Sequence, residues 1–135
     1  MSKVFIDTNI LVYCMDQANP EKKNRCRKLL KTLSPTQGVI STQVMQEFYV
    51  ASSRKLNVEP LIAKDILRYF TKFEVVVITP LMIMDAIDCS IINRISFWDS
   101  LIVIAAESAK CEKIWTEDLN HGQIIRGIYI ENPLL

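Results

Sequence analysis

Three consecutive apolar residues, Val4, Phe5 and Ile6, run straight into Asp7, Thr8 and Asn9. A strand with one solvated face alternates apolar and polar residues. An unbroken apolar run reads instead as a strand covered on both faces, the position of a middle strand in a parallel sheet. Few architectures bury both faces of a sheet, and most of them alternate strand with helix. The carboxylate at the end of the run gains meaning in that setting, because open α/β sheets bind ligands outside the carboxyl ends of their strands. Asp7 also suits the N-cap of a helix carrying Ile10, Leu11, Val12 and Tyr13, so position alone leaves its role open.

The remaining chain supplies the alternation. Pro20 suits a first helical position, and Glu21 to Leu33 reads as a helix with Cys26, Leu29, Leu30 and Leu33 on one stripe. The same helix carries Lys22, Lys23, Arg25, Arg27, Lys28 and Lys31, either a solvated face or a rim that grips phosphate. After the loop from Ser34 to Gly38, Val39 and Ile40 form a second strand. Ser41 or Thr42 caps the next helix, where Val44, Phe48 and Ala51 share a face and Glu47 lies on its margin. A carboxylate at that boundary needs a partner.

Asn57 reads as a helix stop and Pro60 as a restart. Ile62, Ile66 and Phe70 are expected in the core. Phe73 to Ile78 is expected as a third, buried strand. Thr79-Pro80 opens a helix with Met84, Ile87 and Ile91 expected inward. Ser96 and Asp99 have capping-box spacing ahead of Leu101, Ile102, Ala105 and Ala109. Cys111 to Trp115 is a fourth strand, followed by Thr116-Glu117-Asp118-Leu119-Asn120-His121-Gly122, and Gly127 to Ile130 is a last short strand. Right-handed crossovers place every strand exit on one edge. A single domain over residues 1–135 is expected.

Several classes fall away. A net charge of +1 excludes a strongly basic general nucleic-acid binder but leaves room for local phosphate contacts. Cys14, Cys26, Cys89 and Cys111 form no Cys-x-x-Cys pair, and His121 is the single histidine, so a zinc site is not expected and buried reduced thiols are. No apolar run nears the ~18 residues of a membrane helix, and no signal peptide is visible. A soluble cytoplasmic protein is the expectation. No Gly-x-x-x-x-Gly-Lys loop is present. A phosphoryl-accepting receiver domain would need an Asp after the third strand, where the chain has Ile78-Thr79-Pro80.

Asp7, Glu47, Asp99 and Asp118 are thus expected on one rim, with Glu117 as a competitor of Asp118. Two carboxylates ~4.5 Å apart repel by about 4 kcal/mol at an effective dielectric near 20. Such a group calls for protonation or a cation. Oxygen donors without nearby His or Cys suit Mg²⁺ or Mn²⁺. Thr116 and Asn9 stand where they would orient a water or a phosphate oxygen.

Asp7-Thr8-Asn9-Ile10-Leu11-Val12-Tyr13, Glu47-Phe48, Phe97-Trp98-Asp99-Ser100-Leu101-Ile102 and Thr116-Glu117-Asp118-Leu119-Asn120-His121-Gly122-Gln123 together resemble the signature blocks of PIN-domain ribonucleases, in particular the VapC-type toxins of bacterial toxin–antitoxin pairs. The resemblance runs in order over nearly the whole chain. It implies a three-layer α/β fold with a five-stranded parallel sheet and helices on both faces. It also implies Mg²⁺- or Mn²⁺-dependent endonuclease action on RNA, with Asp7 and Asp99 as main metal ligands and Asp118 and Glu47 assisting. A homodimer and a small antitoxin partner follow from the same likeness. Lys22, Lys23, Arg25 and Lys28 are the candidate RNA contacts. A processing or decay nuclease, or a poorly active metal-binding domain working through a partner, would share these motifs.

Overall fold

The computed structural model describes residues 2–135. Its strands and helices alternate: β1 (Val4–Ile6), α1 (Thr8–Tyr13), α2 (Pro20–Lys31), β2 (Gly38–Ser41), α3 (Thr42–Arg54), α4 (Pro60–Phe70), β3 (Glu74–Val76), α5 (Pro80–Asn93), α6 (Phe97–Ser108), β4 (Lys113–Trp115), β5 (Ile124–Ile125) and β6 (Ile128–Glu131). The sheet order is β3-β2-β1-β4-β6-β5. β1 is central, paired in parallel with β2 on one side and β4 on the other. Val4, Phe5 and Ile6 are all buried, as an unbroken apolar run requires. β3 and β6 extend the parallel set outward.

The expected five parallel strands are corrected to six in a mixed sheet. The added strand, β5, pairs antiparallel with β6. Arg126 and Gly127 join the two with φ of 50° and 81°. Two successive left-handed residues are what a tight hairpin turn of matching twist demands. Arg is an unusual first residue there, which hides the turn from sequence, and two residues are too few to show a pattern. The third strand also differs from expectation. β3 lies at the sheet edge and only Val76 is buried within it, while Val77 beyond it is 66% exposed.

The helices cover the sheet unequally. α6 is buried from Ser100 through Ala106, in keeping with an almost continuous apolar sequence. Leu101, Ile102, Ala105 and Ala109 are buried as expected. α5 turns the other way. It packs on α6, and Ala86 and Cys89 are the two residues of α5 that are buried. Met84, Ile87 and Ile91 are exposed, against the inward orientation expected for them. Small residues let the two helices approach closely, and the larger apolar side chains of α5 are left on the outer face. Ile62 in α4 is likewise exposed, whereas Phe70 is buried. Among the described residues no single helix is long and apolar enough to cross a membrane. All four cysteines are free and buried, as their spacing indicated.

Gly38 opens β2 where the ring of Phe73 crosses it. A Cβ at this position would lie 2.4 Å from Phe73 Cδ1 and 2.7 Å from Cε1. Phe73 is itself in the core, so its ring has little room to retreat. Gly38→Ala is expected to lower stability by about 1–3 kcal/mol through overpacking. Urea unfolding reads the effect, and an unchanged midpoint would show that the ring yields freely.

Candidate metal and nucleic-acid site

The strand exits deliver acids to one edge because β1, β2 and β4 run in parallel. Asp7 follows β1 and caps α1 by accepting from the Thr8 N–H at 2.7 Å. Its other oxygen accepts from the Thr116 hydroxyl at 2.8 Å, and the Asp7 N–H donates to the Trp115 carbonyl. Asp7 thus caps the helix with one oxygen and also borders the cavity described below. β2 ends at Ser41, which caps α3. One turn into that helix, Glu47 accepts from the Thr8 hydroxyl at 2.7 Å, the partner its marginal position called for. Beyond β4, the Asp118 N–H donates to Thr116 Oγ1 at 3.0 Å. Asn9 Nδ2 donates to Asp118 Oδ2 at 3.0 Å.

Asp99 comes from α6. Ser96 caps that helix by accepting from the Asp99 N–H at 3.0 Å, so the capping-box spacing is used in one direction. Among the described residues the Asp99 carboxylate has no hydrogen-bond partner, and it borders the cavity. Gln43 pins the start of α6 to α3 by donating from Nε2 to the Trp98 carbonyl.

These residues surround one cavity of about 710 Å³ whose lining includes Asp7, Glu47, Asp99 and Asp118. The four acids expected on one rim are thus brought together, along with Asn9 and Thr8. Thr116 stands behind them, fully buried, holding Asp7 and Asp118. Glu117 is turned away: its carboxylate accepts from the Tyr13 hydroxyl and from Lys22 Nζ. The geometry places Asp118, not Glu117, on the cavity wall.

The candidate RNA contacts are distributed differently. Lys22 is paired with Glu117, Lys23 donates to Gln17, and Arg25 donates to the carbonyls of Leu134 and Pro133. Lys28 is exposed on α2. None of these four borders the cavity, whereas Lys55 at the end of α3 does. Trp98 also lines it, with 62% of its surface exposed. Neither Lys55 nor Trp98 stands out in sequence as a contact. The available signal was a large aromatic residue directly before an acid, at a helix start.

Burial drives the electrostatics. It pushes the Asp7 carboxyl up from 3.8 to about 7, against the hydrogen bonds from Thr116 and Thr8, with the charges of Asp118 and Glu47 adding to the rise. Asp118 is also raised, first by burial and then by the charge of Asp99, while Asn9 opposes the shift. The acids therefore feel one another. An oxygen-only donor set under mutual repulsion fits a hard divalent cation. Among the described residues, no three His, Cys, Asp or Glu side chains are already gathered into a ligand cage. The carboxylates stand around the wall instead of converging on a point.

With that geometry in view, the comparisons are specific. Residues 4–126 match the family model of the PIN domain, and the chain belongs to the PIN-domain family. Solved structures of similar fold include VapC and other toxin–antitoxin proteins. A toxin–antitoxin complex from Klebsiella pneumoniae is 18% identical, with 98% of each chain covered and a TM-score of 0.73. VapC20 of Mycobacterium tuberculosis, described as a toxin that cleaves the sarcin–ricin loop, is 16% identical over 86% of this chain and 92% of its own, with a TM-score of 0.72. DNA-bound VapBC from Salmonella typhimurium is 19% identical, covering 97% and 98%, with a TM-score of 0.69. Comparison with curated proteins finds no match.

Proposed function

We propose that this chain is a divalent-metal-dependent endoribonuclease, a single PIN-like domain over residues 1–135 acting in the cytoplasm as the toxin of a toxin–antitoxin pair. The observation that carries the reading is the placement of Asp7, Glu47, Asp99 and Asp118, from four separate elements, around one cavity. The family membership and the VapC-like fold support it.

Asp7, Asp99 and Asp118 would hold Mg²⁺ or Mn²⁺, which supplies Lewis acidity at a phosphodiester and makes water a better nucleophile. Glu47, fixed by Thr8, would take a proton from the attacking water. Asn9 and Thr116 orient Asp118 and Asp7 through the bonds described above. Asp118, whose carboxylate accepts from the Asn9 amide alone among the described residues, would turn toward an ion more readily than Asp7, which is locked by two hydrogen bonds.

Lys55 lies where it can meet a phosphate. The open face of Trp98 offers a base a stacking platform, and such contacts are worth about 1–3 kcal/mol each. Trp98→Ala is accordingly expected to weaken binding of a short single-stranded RNA about tenfold or more, with far-UV circular dichroism unchanged. Equal affinity in a fluorescence-anisotropy titration would remove Trp98 from the interface. Lys28, exposed on α2, remains a candidate for RNA beyond the cavity.

The decisive experiment incubates the purified chain with a panel of structured RNAs in Mg²⁺, in Mn²⁺ and in EDTA. Cleavage with either ion and none in EDTA is expected. Absence of cleavage of every RNA with both ions would overturn the enzymatic reading. A small antitoxin is the proposed partner, and a second copy of the chain is proposed to cover the exposed apolar face of α5. A monomer in sedimentation equilibrium would dismiss the homodimer.

A further inference from the structure

Glu117 and Asp118 are adjacent acids in one short loop, yet they leave it in different directions. Asp118 borders the cavity and Glu117 does not. Three hydrogen bonds and a cation–π contact account for the difference. The Tyr13 hydroxyl donates to Glu117 Oε1. Lys22 Nζ donates to Glu117 Oε2 at 2.9 Å and to the Tyr13 hydroxyl at 3.2 Å. The ammonium also sits 4.7 Å from the centre of the Tyr13 ring. Both Glu117 oxygens are thereby engaged by groups from α1 and α2. The backbone N–H of Glu117 meanwhile donates to Asn9 Oδ1 at 3.3 Å, and Asn9 holds Asp118 from its other end.

Stability alone is a weak explanation for this arrangement. The Lys22 and Glu117 side chains are 41% and 29% exposed, and ion pairs so open to water contribute little to folding. Placement is the larger consequence. A released Glu117 would bring a fifth carboxylate beside four that already repel one another.

We propose that Tyr13 and Lys22 are positioning residues that keep the Glu117 carboxylate out of the acidic cavity, so that the loop presents Asp118 alone to a divalent ion. The inference rests on the reading of the cavity as a cation site. It assigns part of the basic helix a task other than holding RNA, since Lys22 is spent on Glu117.

Mn²⁺ binding by the full chain without RNA, followed by electron paramagnetic resonance, tests the idea apart from catalysis. Lys22→Ala and Tyr13→Phe should each bind Mn²⁺ roughly threefold to tenfold more tightly, because a freed carboxylate adds negative charge near the ion. RNA cleavage by the same variants should slow about tenfold, the usual scale for disturbing the groups behind a metal site. Adding Glu117→Gln to either variant should return Mn²⁺ affinity to within about twofold of wild type, since the coupled partner is then gone. A purely structural bridge would stay broken in the double variants. Tyr13→Phe leaves the charge unchanged, which separates the effect from loss of a cation on α2. Mn²⁺ affinities equal to wild type in the single variants, or no rescue by Glu117→Gln, would overturn the inference. Absence of Mn²⁺ binding by wild type would overturn the cation-site reading itself.

Discussion

Asp7→Asn is expected to abolish RNA cleavage and, in metal-free buffer at pH 8, to raise the melting temperature. The two effects share one cause. Asp7 is buried, and its carboxyl titrates at about 7 instead of 3.8. The unfolded chain gives up this proton as pH climbs through 3.8, while the folded chain keeps it until about 7. Folding stability therefore falls across that interval and stays at the lower level above it. A shift of this size corresponds to about 4 kcal/mol, as an order of magnitude. Asn at the same place can still accept from the Thr8 N–H, carries no charge, and removes the pH dependence. Below pH 4 the two proteins should melt alike. Mg²⁺ should raise the melting temperature of wild type, because a ligand that binds only the folded state stabilises it, and should leave the variant unmoved. Losing an anchoring carboxylate for the ion removes several kcal/mol of transition-state stabilisation, so cleavage should drop by about 10³-fold or more. Differential scanning fluorimetry from pH 4 to 8, with and without Mg²⁺, together with a cleavage time course, checks the set. An active variant, or one less stable than wild type at pH 8, would contradict the assignment.

Phe48→Ala is expected to have the largest effect on folding. Phe48 is fully buried and meets Phe70 edge-on, with ring centroids 5.3 Å apart and planes at 88°. This contact fastens α3, the helix that carries Glu47, to α4. Removing the ring loses its transfer free energy and leaves a cavity, together about 3–5 kcal/mol. That is a large share of the 5–15 kcal/mol that typically holds a domain together. Urea denaturation followed by tryptophan fluorescence measures it. A loss below about 1 kcal/mol would show that the neighbours close the gap, since refilling the space is what lowers such penalties. Activity at low temperature should fall more than binding of free Mn²⁺, because Glu47 is displaced while Asp7, Asp99 and Asp118 stay in place.

The sequence made the acid edge readable because strand direction alone decides where Asp7 and Asp118 emerge. An unbroken apolar run and the helical spacing between strands are enough to fix that direction. The inward face of α5 was not readable in the same way. Met84, Ile87 and Ile91 repeat at the spacing of a core stripe, and periodicity cannot say whether the core or another surface lies opposite. Ala86 and Cys89 turned out to be the buried positions, since close packing between helices favours small side chains. Lys22 to Lys31 announced a charge but not its direction, and Lys22 and Arg25 proved to be engaged within the chain. Lys55 and Trp98 were hidden for a converse reason: each lies at the end of an element, and the cavity is assembled from ends. The choice between Glu117 and Asp118 depended on Tyr13 and Lys22, more than ninety positions away in the chain.

The short strands at the two sheet margins carry a consequence for how this molecule can aggregate or assemble. β5 has two residues, and β3 has three, one of them Glu74 in an ion pair with Lys3. Neither margin offers the long row of free amides and carbonyls on which a neighbouring chain could template a continuous ribbon. Strand addition between copies of this protein is thereby disfavoured at both margins, the route by which exposed sheet edges aggregate.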